Sequence, residues 1–167
     1  PDSVNNSWYD PSGYDYRPII QTLNAAGIAV IKSAGNAGSG CSTITNPGYV
    51  PEIIATAAFD SSDNIAYFSS RGPMSNYGET ILKPEVAAPG YNVRSSIPGN
   101  SYGFKSGTSM AAPHAAGVAA LIKQKYPDIT VAQLKAKLAQ TADDEDKPGQ
   151  DAYYGRGFVN ARRAVTE

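Results

Sequence analysis

The most informative stretch for chemistry is Ser106-Gly107-Thr108-Ser109-Met110-Ala111-Ala112-Pro113-His114. A serine here sits where a glycine-flanked loop turns into a helix. The first backbone N–H groups of a helix lack intrahelical partners, and the helix dipole adds partial positive charge there. A hydroxyl at that point can attack a carbonyl while nearby N–H groups receive the developing negative charge. Gly107 and Ala111 are small enough to let a substrate approach. Spacing alone leaves a second reading open, because serine and threonine are also the usual helix caps.

Two familiar serine and glycine motifs can be weighed at once. Gly107-x-Ser109-x-Ala111 comes close to the nucleophile elbow of α/β-hydrolases, whose histidine lies well downstream. The only histidine is His114, five residues along the same helix. That offset leaves it about 140° around the axis and roughly 7.5 Å up it, out of reach of Ser109 as a base. A phosphate loop in Ser33-Ala34-Gly35-Asn36-Ala37-Gly38-Ser39-Gly40 lacks the Gly-Lys-Ser/Thr ending and a clean G-x-G-x-x-G. The single cysteine, Cys41, cannot form a disulfide within the chain and reads as a loop residue.

The nucleophile stretch resembles the signature of the subtilisin-like serine peptidase (subtilase) family. Ser33-Ala34-Gly35-Asn36, after a buried strand, is similar to that family's oxyanion segment. Phe68-Ser69-Ser70-Arg71-Gly72-Pro73, Ala88-Pro89-Gly90 and Tyr154-Gly155-Arg156-Gly157-Phe158-Val159-Asn160-Ala161 match further family segments in the same order. Lys83-Pro84-Glu85 resembles the branch around bacillopeptidase F. The resemblance implies Ser109 as the nucleophile and Asn36 as the side-chain donor to the oxyanion. It implies Ser33, Ala34 and Gly35 as one wall of the pocket for the residue before the scissile bond, with backbone free to pair with substrate, and Ser7 and Trp8 as the opposite wall. Tyr9 stands where the family has glycine. Asn46-Pro47-Gly48 resembles the pocket floor, with Pro47 expected cis.

In this family the aspartate and histidine of the triad precede every segment matched here. Residues 1–167 are therefore expected to be the C-terminal portion of one catalytic domain, inactive without an N-terminal part of the same peptidase. The start at Pro1 fits an excised or processed piece. His114 is expected to be a packed, hydrogen-bonded helix residue. The chemistry needs no cofactor, and structural calcium is allowed by the family, although no Asp-x-Asp-x-Asp-Gly loop occurs. The alternative is a subtilisin-like binding or structural module without catalysis.

The elements that must position these groups follow from pattern. The spacing predicts a strand end at Val4–Ser7, a helix over Arg17–Ala26 stopped by Gly27, and a buried strand at Ile28–Lys32. Further strands are expected at Ile53–Phe59, Ile65–Phe68, Glu85–Ala88 and Val93–Ile97, with polar loops at Ser33–Pro51 and Ser69–Leu82. Helices are expected at Thr108–Tyr126, with Val118, Leu121 and Ile122 inward, at Val131–Ala142, and near Phe158–Val165. Helix, glycine, buried strand suggests an α/β layer arrangement with parallel strands, and the resemblance implies the C-terminal part of a subtilisin-like three-layer fold, a mostly parallel sheet flanked by helices. The formal net charge of −1 gives no argument for nucleic acid as partner, and no apolar run is long enough to span a membrane. A polypeptide substrate and a secreted or cell-surface location are implied by the resemblance alone.

Overall fold

The computed structural model describes residues 1–167. Four parallel strands form the central sheet in the order β1 (Ser3–Asn6), β2 (Ala29–Ser33), β3 (Ile54–Phe59), β6 (Val86–Pro89). Helix α1 (Arg17–Ala25) links β1 to β2 and stops where Gly27 takes φ +79°. That conformation suits a residue without Cβ.

β2 is buried on both faces, and its side chains alternate between two cores. Ala29 and Ile31 join Ile54 and Val86 under α2 (Thr108–Lys125), α3 (Val131–Gln140) and α4 (Ala161–Thr166). Val30 turns the other way, toward Ile20 of α1, Val50 and Ile53. This is the three-layer α/β arrangement, with a helix on each face of a parallel sheet.

Helix α2 buries one face along its length and packs across all four strands. Its sheet-facing seam is made largely of small residues: Ala111, Ala112, Ala115 and Ala119 are fully buried, joined by Val118 and Ile122. Leu121, expected inward, is 44% exposed. Alanines let the helix axis approach the sheet, and Leu121 lies about 100° around the helix from the buried Ile122, off the sheet-facing arc. Thr130 and Gln133 form a reciprocal cap at the start of α3, satisfying two otherwise unpaired donors.

Two antiparallel hairpins lie outside the sheet. β4 (Met74–Asn76) pairs with β5 (Glu79–Ile81) inside the stretch expected to be loop. β7 (Val93–Ile97) pairs with β8 (Ser101–Lys105), a strand too polar to be expected. Ile65–Phe68 is no strand; it contributes one bridge, Ile65 to Phe59. The closing segment runs along β6, where Ala87 N donates to Gly157 O and Val159 N donates to Ala87 O.

A buried ion cluster joins the sheet to α3. Lys83 is 0% exposed and donates to Glu85 Oε1 and to Ile53 O. Lys135 reaches the same carboxylate oxygen from α3 at 2.7 Å, and Ala55 N donates to Glu85 Oε2 at 2.7 Å. Removing one member of such a cluster leaves an uncompensated buried charge. Glu85→Ala is therefore expected to cost about 3–5 kcal/mol of stability, read from the shift in urea midpoint. A loss under about 1 kcal/mol, the range of surface pairs, would contradict it.

Candidate active site

The C-terminal ends of parallel strands are where open α/β sheets present ligand sites. β1 ends at Asn6, directly before Ser7, and β2 ends at Ser33, three residues before Asn36. The N-terminus of α2 arrives over the same edge. Ser7, Trp8, Tyr9, Ser33, Gly35, Asn36, Ala37, Thr45, Thr108 and Ser109 enclose one cavity of about 380 Å³. Ser109 and Asn36, found from separate motifs, thus share a single pocket.

The start of α2 is set by Gly107, whose φ of 154° and ψ of 156° lie in a region nearly reserved for glycine. A Cβ there would sit 3.4 Å from Asn36 Nδ2 and 3.6 Å from Ser109 N. The two candidate oxyanion donors therefore flank one point, kept open by the missing side chain. Thr108 fixes the amide. Its backbone N–H and its hydroxyl both donate to Asn36 Oδ1 at 2.9 Å. A backbone N–H can only donate, so the oxygen must face Thr108 and the NH₂ group is left to face outward. The Thr108 hydroxyl in turn accepts from Gly35 N.

Pro113 has a further consequence. It carries no N–H, so the carbonyl of Ser109 loses its helical donor four residues on. Ser7 Oγ donates to Ser109 O at 3.0 Å in its place. A residue lining the cavity is thereby bonded to the candidate nucleophile's own residue.

Several expected site residues sit differently. Ala34 is fully buried behind the wall instead of on it. Its N–H donates to Thr56 O and its carbonyl accepts from Thr45 N, while Gly35 O accepts from Ser70 N. The backbone of Ala34 and Gly35 is thus committed inside the protein and not free to pair with substrate. The Asn46–Pro47 peptide is cis as expected, but Thr45 lines the cavity where Asn46, Pro47 and Gly48 were expected. Tyr9 lines the cavity while 66% exposed, so it stands at the rim. His114 is exposed, its ring Nδ1 2.8 Å from Met110 O. It is bonded as expected but not packed, because the buried seam of α2 runs along Ala111, Ala112 and Ala115. Cys41 is a free, exposed loop residue.

Lys32 is the residue that pattern reading missed. It is 0% exposed, on the same face of β2 as Val30. Its ammonium donates to Ser33 Oγ at 2.9 Å and to Ser33 O at 3.1 Å, 5.7 Å from the centre of the Trp8 ring. No carboxylate pairs with it, and burial pushes it down from 10.5 to about 8. The signal was a lone charge ending an apolar run directly before the Ser33–Asn36 segment.

No three histidine, cysteine, aspartate or glutamate side chains converge in the structure. No helix is long and apolar enough to cross a membrane.

Comparison with known proteins agrees with these motifs. The subtilase family matches residues 2–157. The chain is 43% identical over 180 aligned residues to bacillopeptidase F of Bacillus subtilis (strain 168), covering 99% of this chain and 12% of that protein. It is 40% identical to subtilisin DY of Bacillus licheniformis, covering 98% of this chain and 57% of that one. To subtilisin E of Bacillus subtilis (strain 168) it is 39% identical, covering 98% and 41%. The chain thus spans between 12% and 57% of the length of these relatives.

Two outcomes follow from this geometry. Thr108→Val removes the hydroxyl between Gly35 and Asn36; fluorophosphonate labelling of Ser109 in the complete protein should slow about tenfold, the scale of one neutral hydrogen bond. Thr108→Ser should restore it, and equal rates for all three would contradict the positioning role. For Lys32, the unfolded chain holds the extra proton between pH 8 and 10.5, so stability should rise with pH across that window. Relative to Lys32→Met the gain should be on the order of 3 kcal/mol, from urea unfolding at pH 7 and pH 10.5. A difference that does not change with pH would contradict it.

Proposed function

We propose, from the premise that this chain belongs to the subtilase family, that it is the C-terminal portion of the catalytic domain of a serine endopeptidase. The observation that carries this reading is the shared cavity of Ser109 and Asn36, with both N–H donors beside Gly107. The bacillopeptidase F-like branch is the one we favour, on Lys83-Pro84-Glu85 and the 43% identity.

The proposed reaction begins with attack of Ser109 Oγ on the carbonyl carbon of a peptide bond. The hydroxyl proton passes to a general base, and the carbonyl oxygen takes the negative charge. That oxygen is received by the Nδ2 group of Asn36 and by the N–H of Ser109, for which the helix offers no acceptor. Asparagine suits the task because a neutral amide donates at any pH and does not compete as a base. The intermediate collapses with loss of the amine, which takes the proton back from the base. Water then releases the acyl group from Ser109.

The base is not within this chain. His114 is the only histidine, and it sits five residues along α2 with its ring nitrogen against Met110 O. We assign the aspartate and histidine to an upstream part of the same peptidase, so residues 1–167 alone should be inactive toward peptides. β1 is an edge strand of the sheet, and an exposed edge invites pairing with another segment. A secreted or cell-surface location belongs to this same reading.

The test is active-site labelling. In the complete peptidase a fluorophosphonate probe should attach to Ser109, and Ser109→Ala should abolish attachment. Asn36→Ala should lower kcat by about 10²–10³ with KM little changed, a magnitude established on a subtilisin and carried over here. Failure to label Ser109 in a folded, complete protein would leave the binding or structural module as the better account.

A further inference from the structure

Lys32 is an unusual residue for its place. A buried ammonium without a counter-charge is costly, and such groups are normally paired. Lys83, the other fully buried lysine, has Glu85. Lys32 has no carboxylate, only the two oxygens of Ser33 and the ring face of Trp8. An ammonium carries three donors, and the third finds no acceptor in the protein.

Ser33 transmits this charge to the cavity it lines. Its hydroxyl oxygen accepts from Lys32, so its own O–H is turned away from the ammonium as a donor. The bond that O–H makes, to Asn6 O, is 3.5 Å long, at the limit of what counts as a hydrogen bond. A better acceptor inside the cavity would draw it. None of the ten residues around the cavity carries a formal charge, so nothing there neutralises the cation behind the wall. Trp8, which also lines the cavity, adds an apolar surface with its ring centre 5.7 Å from the ammonium.

We propose that Lys32, acting through the hydroxyl of Ser33, makes this cavity select a side chain bearing a carboxylate, so that the peptidase cleaves after glutamate or aspartate. The proposal rests on the serine peptidase reading and refines its substrate class. Lys32 does not touch substrate in it; Ser33 does, and Lys32 supplies the charge. Of the two acidic residues, glutamate has the longer reach to the wall.

The experiment compares three peptide 4-nitroanilides that differ only in the residue before the scissile bond: glutamate, glutamine and leucine. They are assayed at pH 7 with the complete peptidase and with its Lys32→Met variant, alongside fluorophosphonate labelling of Ser109. The expected result is kcat/KM for glutamate at least about tenfold above glutamine in the native enzyme, equivalent to about 1.4 kcal/mol of differential interaction with the charged side chain. In Lys32→Met the glutamate-to-glutamine ratio should fall to near one. A purely structural role for Lys32 would lower both substrates together and leave the ratio unmoved. A native ratio near or below one, or a ratio retained in the variant, overturns the inference while labelling of Ser109 keeps the peptidase reading. If Lys32→Met does not fold, the native ratio decides alone. If no peptide is cleaved and Ser109 stays unlabelled, the peptidase reading itself has failed and the inference falls with it.

Discussion

The arrangement depends on one set of hydrogen bonds, those that Thr108 makes to the side-chain oxygen of Asn36. They tie the end of strand β2 to the first residue of helix α2. Two segments 72 residues apart in sequence are thereby held at one edge of the sheet. Both bonds fall on the oxygen, so the amide can present only its NH₂ group to the cavity. The alanine seam of α2 lets the helix settle close enough for that contact. Gly107 leaves the space between the two donors empty. Packing, capping and chemistry meet at this corner, and each residue there has a physical reason to be the type it is.

The two buried lysines illustrate different solutions to one problem. Lys83 is held by a carboxylate that also serves Lys135 and the Ala55 N–H, so the cluster satisfies itself and locks α3 to the sheet. Lys32 receives only dipoles: the carbonyl and hydroxyl of Ser33, and the face of Trp8. A cluster that closes on itself belongs to stability. A charge left open beside a cavity is a standing bias toward whatever enters with the opposite sign.

Much of this was legible in the sequence, because loops that carry chemistry are spelled in residues with few alternatives. Ser109, Asn36 and the cis peptide before Pro47 were implied by the family resemblance of their segments, and the parallel α/β order followed from helix, glycine and buried strand. The misses share a cause: they depend on how elements dock. Leu121 follows Val118 by three residues and adjoins Ile122, but only docking shows which arc of α2 faces the sheet. β8 is polar and exposed, so its pairing with β7 leaves no apolar alternation to read. The committed backbone of Ala34 and Gly35 depends on partners at Thr45, Thr56 and Ser70. Lys32 looks like the solvated end of a strand until the fold buries β2 on both faces.

The most direct measurement of the central claim is a crystal structure of the complete peptidase with a peptide boronate. The account predicts a covalent bond from boron to Ser109 Oγ, with one boronate oxygen within about 3 Å of both Asn36 Nδ2 and Ser109 N, as hydrogen bonding to an oxyanion requires. An adduct whose oxygen points away from Asn36, or a boronate that leaves Ser109 unmodified, would contradict it.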